Sequence, residues 1–525
     1  MLDVLVSGAT VYDGTGSDPV IADIGIKGDT ITDYATTDRI PPEKAREVVN
    51  AEGFAVAPGF IDLHQHCDFT IQGNPDAPSQ ISQGVTTVLT GNCGSSPFPA
   101  TSLKVSADSW AHLSPEFIED HPSASGFMDT VSKCQPEINV AFQVGLSSVR
   151  RMAMGDAARP ANDVEIAEMK RQIDVAAEAG VRGFSTGLIY APGAYAPPHE
   201  VRELVRHASS HKLLYSTHMR DEGDGLRTSI QESIEAVGHV GKLEISHLKS
   251  SGKNNHGKMR SALEQIEHAR SEGVDVTCDV YPYMASSTTL TSLFPDWSLD
   301  EGRTALPRRC ANPKERTRIR EHLREIFATS TAPNEIVIAK VSDEGPGGFE
   351  WAVGNDLGTV AERLACDPEE AAIVLIEHHA GGVGMIQYSM SEDDVREALQ
   401  YTHASIASDG HVLADHGPGH PHPRNFGTFT RVLGNYVREE KVLNLTDAIR
   451  KMTSLPASRL NLDDRGVIAN GKKADLVVFD PESVDSLSTW KNPWQLSKGI
   501  RAVLVNGTFA LRDGHFLRGR AGRVI

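Results

Sequence analysis

The chain has 525 residues, 39% of them hydrophobic and 23% charged, enough for a large core such as a barrel with a smaller partner. Its 51 Lys and Arg against 70 Asp and Glu leave a formal net charge of −19. That balance excludes a nucleic-acid binder, which needs a basic face to displace counterions from phosphate.

The N-terminus MLDVLVSGATVYDG lacks a basic segment followed by an apolar one, so it does not read as a secretory signal. Val4, Val6, Ala9 and Val11 alternate up to a turn at Asp13-Gly14; Ile21, Ile24 and Ile26 follow, then Gly28-Asp29 and Ile31. Short strands at this spacing predict a small sheet. The middle of the chain changes character. Apolar strand-like runs fall near 56–64, 84–91, 138–145, 181–188, 213–218, 242–247, 274–281 and 403–408, with amphipathic helices at 163–179, 198–210 and 259–271. Eight strands with helical crossovers predict a (β/α)8 barrel of the TIM type, and an open doubly wound sheet has the same alternation. About 120 residues separate the last two strands. A structureless loop of that size is uncommon, so an insertion at 284–350 is expected to lie over the catalytic face. The C-terminus returns to strands at 474–479 and 501–505, with a hairpin signal at Asn506-Gly507. The expected organisation is an α/β protein with a β-sandwich from 1–56 and 456–525 around a barrel at 57–455. No apolar run reaches the roughly 20 residues of a membrane span. Cys67, Cys93, Cys134, Cys278, Cys310 and Cys366 lack paired spacing, which predicts reduced thiols and a cytoplasmic location.

The sharpest local feature is Pro58-Gly59-Phe60-Ile61-Asp62-Leu63-His64-Gln65-His66-Cys67-Asp68. Residues two apart on a strand share a face, so His64 and His66 can converge on a divalent metal; a hydrogen-bonded pair at a barrel mouth is the other reading. Later strands end on Asn92-Cys93, Thr217-His218, Ser246-His247 and Ser408-Asp409. Each places a metal-capable side chain at the C-terminal end of a parallel strand, where barrel enzymes hold their chemistry. Five such ends together predict a metal site.

The string PGFIDLHQHCD, the late ASDG and the stretch 452–481 resemble the amidohydrolase superfamily. More narrowly, TGNCGSSP, GFSTGLIYAPGAYA, STHMRDEGD, EISHLKSSG, DVYPYMASST and HPRNFGTFTRVLG, in that order, resemble the N-acyl-D-amino-acid deacylases, or D-aminoacylases. The resemblance implies zinc held tightly by Cys93, His218 and His247, with His64 and His66 as a second, weaker position and Cys93 as bridge. Many relatives bridge two metals with a carboxylated lysine on the fourth strand, and Gly183-Phe184-Ser185-Thr186-Gly187-Leu188 has none. It also implies a small-molecule substrate, an N-acyl-D-amino acid, hydrolysed to a carboxylate and a D-amino acid. Asp409 then takes the proton of the attacking water and returns it to the departing amine. It can instead cap the turn before Gly410, or touch the weaker metal. Lys249 and Arg424 are the implied partners of the substrate carboxylate, with a tyrosine of the YPY motif, Tyr281 or Tyr283, the latter preferred, and a hydroxyl from Ser287.

Alternative substrates are a cyclic amide or a D-residue-containing dipeptide, and a non-catalytic scaffold is a third reading. Where relatives commonly have Gly-His at the end of the third strand, this chain has Gly145-Leu146, expected to make that wall apolar. His411, His416, His420 and His422 are expected to be solvated or to shape the pocket rim rather than bind catalytic metal, and Arg220 with Glu222 to form an ion pair buttressing His218.

Overall fold

The computed structural model describes residues 1–100 and 123–525, so part of the expected barrel range, 101–122, lies outside the described residues. Eight parallel strands form the central sheet: Phe60–Asp62, Val85–Thr90, Asn139–Gly145, Gly183–Gly187, Leu214–His218, Lys242–Ile245, Asp275–Val280 and Ala404–Ile406, paired in sequence order. Most are buried throughout, as expected for strands covered on both faces. The sheet closes beyond the ends of its first and last strands. The backbone N–H of His66 donates to the Gly410 carbonyl at 2.7 Å, and that of Asp409 to the His64 carbonyl at 2.8 Å. A closed barrel, not an open doubly wound sheet, is the architecture. Its closing seam runs through candidate site residues.

The expected strand over 56–64 is two strands. Ala55–Pro58 pairs with Leu476–Phe479 in the terminal sheet, and Phe60–Asp62 opens the barrel. Gly59 sits at the division, where a Cβ would come within 2.2 Å of Thr86 Oγ1, so no side chain fits. Strands from both ends of the chain join in one nine-stranded sheet with its own core of Val6, Ile24, Ile31, Leu476 and Leu504. Asn506 and Gly507 both have positive φ, as a tight hairpin turn requires.

The helices Asp163–Glu178, Pro198–Ser210 and Met259–Ser271 pack outside the barrel. The first opens on a capping box: Asn162 Oδ1 accepts from the N–H groups of Val164 and Glu165, and Glu165 accepts from the N–H of Asn162. Hydrogen bonds from Arg159 and from the Asn162 backbone hold the Glu165 carboxyl at about 2, against an ordinary value of 4.5. Its contribution is therefore complete above about pH 4.5 and lost as pH falls toward about 2. Glu165→Gln should lower stability at pH 7 by up to about 1 kcal/mol, with the gap narrowing by about pH 3 in urea unfolding.

Between the seventh and eighth barrel strands lies a separate unit. Its antiparallel strands Ala285–Thr289 and Ile336–Val341 flank Val383–Tyr388, and a core of its own runs from Leu290 to Met385. The unit therefore extends past the expected end at 350. Among the described residues no helix is long and apolar enough to cross a membrane.

Candidate metal centre and active site

Cys93 is the hub of the barrel mouth. Its Sγ lies 3.4 Å from His64 Nε2, 3.4 Å from His247 Nε2 and 3.7 Å from His218 Nδ1. Each residue stands at or just beyond the end of a different strand, so the sheet fixes where they meet. Cys93, His247 and Asp409 all adopt left-handed backbone, with φ of 53°, 36° and 52°. Non-glycine residues accept that conformation where the surroundings enforce it, and they concentrate at functional sites. Burial opposes ionisation of the thiol, but the imidazoles of His64 and His247 and hydrogen bonds from His218 and His247 hold it well below its ordinary value.

The fourth strand shows why a side chain at its end would be incompatible with this arrangement. A Cβ on Gly187 would come 2.1 Å from the Cys93 carbonyl oxygen, so the space is filled by the Cys93 backbone. Gly187→Ala should therefore displace the Cys93 loop and lower metal affinity at least tenfold, measured by competition with a chelator.

A second group surrounds Asp409. Its Oδ1 lies 3.0 Å from His66 Nε2 and 3.4 Å from His64 Nε2, while Oδ2 pairs with Arg424 Nη1 at 2.8 Å. Burial pushes this carboxyl up, yet Arg424, His64 and the hydrogen bond from His66 hold it well below the usual carboxylate range.

Two carboxylates complete the surroundings: Asp279, which the sequence reading did not assign, and Glu222, expected only as the partner of Arg220. Asp279 lies 3.3 Å from His64 Nδ1 and accepts the backbone N–H of His247. Glu222 lies 3.0 Å from His247 Nδ1 and 3.4 Å from His218 Nε2, and it pairs with Lys249 at 2.8 Å. Burial raises the Glu222 carboxyl, but His218, Lys249 and His247 outweigh it and keep it ionised. Histidine ligands characteristically turn their second nitrogen toward such a carboxylate. The expected Arg220–Glu222 pair is thus corrected. Arg220 bonds Glu232 instead, because Glu222 is drawn inward by three basic groups. The sequence signal for Asp279 was its place in DVYPY.

The other expected residues divide. Lys249 and Arg424 are buried at the mouth, and the Tyr281 ring lies 5.8 Å from Lys249 Nζ and 5.1 Å from the Arg424 guanidinium carbon. Tyr283 packs on His422 and Trp490 beneath Arg431. An extended segment would put both rings on one face, but the chain turns at Pro282, where the Tyr283 N–H donates to the Tyr281 carbonyl at 3.0 Å. Ser287 lines the cavity, and its carbonyl accepts from Arg424 Nη2. Leu146 is fully buried in the core and does not line the cavity; Ser147 and Arg151 do. Of the four late histidines, His416 is exposed, but His422 is buried against the Ala285 carbonyl and His411 against that of His66. The middle of this loop, 415–418, is exposed, while its ends are buried: His422 against the inserted unit and His411 at the cavity wall. Tyr190, not anticipated, stands edge-on to His218 at 5.0 Å and bonds Thr288. Cys93, His218, His247, Lys249, Asp409 and Arg424 line a cavity of about 600 Å³ between barrel and insertion.

The Amidohydrolase family pattern matches residues 47–277 and 353–510. The chain belongs to the amidohydrolase family. This amidohydrolase is 36% identical to an N-acyl-D-glutamate deacylase of Alcaligenes xylosoxydans xylosoxydans, over 96% of its own length and 93% of the relative's. It is 34% identical to a D-aminoacylase of the same organism, over 100% and 97%. Among solved structures, the N-acyl-D-glutamate deacylase of Bordetella bronchiseptica, complexed with zinc and a phosphonate mimic of the tetrahedral intermediate, superposes with a TM-score of 0.83. That pair shares 33% identity and covers 100% of this chain and 99% of the other.

Proposed function

We propose that this amidohydrolase is a zinc-dependent hydrolase of the D-aminoacylase type, cleaving N-acyl-D-amino acids to a carboxylate and a free D-amino acid. The observation that carries this reading is the Cys93 sulfur ringed by three imidazoles beside the Asp409–Arg424 pair, in a chain similar to D-amino-acid deacylases over nearly its whole length. The donors fit the ion. A tetrahedral zinc with bonds of about 2.3 Å to sulfur and about 2.0–2.1 Å to nitrogen separates such donors by about 3.5 Å. The sulfur–nitrogen distances here are 3.4–3.7 Å.

In this reading Cys93, His218 and His247 hold the tight zinc. His64 and His66 form a second, weaker position that shares Cys93. When bound, zinc lowers the pKa of water and polarises the amide carbonyl. Asp409, ionised and facing the cavity, accepts the proton of the attacking water and delivers it to the amine nitrogen as the C–N bond breaks. Glu222 and Asp279 orient His247 and His64 through their outer nitrogens. Lys249 and Arg424, with Tyr281 between them, receive the substrate's α-carboxylate; Tyr281 Oη is buried without a partner among the described residues. The inserted unit, through Ser287 and Thr288, forms the wall that selects the side chain. Six unpaired thiols support a cytoplasmic location.

The test is amide cleavage by the zinc-loaded chain on matched N-acetyl-D- and N-acetyl-L-amino acids. Turnover confined to the D series is expected. Bound zinc with no N-acyl-D turnover, or turnover of hydantoins in its place, would overturn the substrate assignment.

A further inference from the structure

A second cluster of donor atoms lies on the outer helices. Asp174 belongs to the helix Asp163–Glu178, and His207 to the helix Pro198–Ser210, which His211 caps at its C-terminus. The two helices are neighbours, joined also by Lys170–Glu203 at 2.7 Å. His207 and His211 are four residues apart, so their rings rise from one face a turn from each other. Both Nε2 atoms converge on a single oxygen, Asp174 Oδ1, at 2.7 and 2.6 Å. The ring centroids are 5.5 Å apart and edge to face. The three donor atoms lie within 4.8 Å of one another, and their side chains are 25%, 34% and 40% exposed for His207, His211 and Asp174.

We propose that Asp174, His207 and His211 form a second metal site, for a divalent transition ion of the zinc, nickel or copper class, independent of the centre at the barrel mouth. Two imidazoles and one carboxylate are a donor set that such ions prefer, with solvent left to supply the fourth position. The ion takes over the place of the hydrogen bonds to Asp174. A tetrahedral ion holds nitrogen and oxygen donors about 3.3 Å apart, so the three groups must open by a fraction of an ångström. Side chains this exposed have the torsional freedom to do so. Because the donors come from two helices that flank the fourth barrel strand in sequence, chelation clips those helices together, and binding to the folded state raises stability by mass action.

The experiment uses the full chain with its mouth centre loaded and excess metal removed. Zinc alone is then titrated calorimetrically, with metal content counted by mass spectrometry, into the wild type, the double variant His207→Ala/His211→Ala, and Asp174→Asn. The wild type is expected to bind one equivalent more than the double variant. Asp174→Asn should weaken that equivalent at least tenfold, and zinc should raise the thermal midpoint of the wild type but not of the double variant. Activity should be the same in all three, which shows that the variants fold and that the mouth centre is intact. Equal stoichiometry and equal titration curves in wild type and double variant would overturn the proposal. Loss of the extra equivalent in Asp174→Asn alone, with the histidine variant unchanged, would overturn the histidine assignment.

Discussion

Cys93→Ala should lose tight zinc and hydrolytic activity together, with kcat/KM falling about 10³-fold or more. The sulfur lies 3.4–3.7 Å from three imidazole nitrogens, and removing it leaves those rings without their common neighbour. The thiolate also supplies the negative charge that offsets a dication in a buried setting, since His64, His218 and His247 are neutral when they act as ligands. Cys93→Ser keeps the size and loses the softness, so it should retain fold and bind zinc weakly. Metal content by mass spectrometry decides the matter. A Cys93→Ala protein with unchanged zinc would remove the thiolate from the ligand set and the proposed chemistry with it.

Asp409→Asn should reduce kcat by about 10²–10⁴-fold while leaving much of the tight zinc in place, because proton transfer rather than metal retention is the role assigned to it. The carboxyl is held well below the ordinary carboxylate range despite its burial, chiefly by Arg424 at 2.8 Å. A base so placed is ionised across the neutral range, and its activity is lost only as pH falls through its depressed value. Arg424→Gln removes the largest stabilising charge, so the acidic limb of kcat should move to higher pH, separately from any rise in KM. Asp409→Asn retaining activity within tenfold of wild type would overturn the acid–base role. An acidic limb that does not move in Arg424→Gln would show that Arg424 does not tune it.

Much of this was legible along the chain because periodicity and strand ends are local properties. Apolar runs marked the barrel strands, and His64, Cys93, His218, His247 and Asp409 each follow such a run, so a parallel sheet was bound to bring them to one end. Partner choice was not local. Glu222 had two cationic candidates, Arg220 two residues away and Lys249 on the next strand end, and only the packing of the mouth shows that Lys249, His218 and His247 claim it. Tyr281 and Tyr283 are equivalent as letters; the turn at Pro282 separates them. The composition of the loop with His411 and His422 suggested exposure, which holds for its middle, but burial of its ends depends on what covers them, and at His422 the inserted unit does.

The sequence by itself determined the fold class, the strand ends that carry donors, and the absence of a lysine from the fourth strand. The tertiary structure decided how the barrel closes, through His64, His66, Asp409 and Gly410, and why Gly187 must lack a side chain where the Cys93 backbone passes. The physical reason is one of range. Hydrophobic alternation and turn chemistry act over a few residues and are written in order along the chain. Ion pairing, close packing and the shape of a cavity arise between segments hundreds of residues apart, and they exist only once the chain has closed on itself.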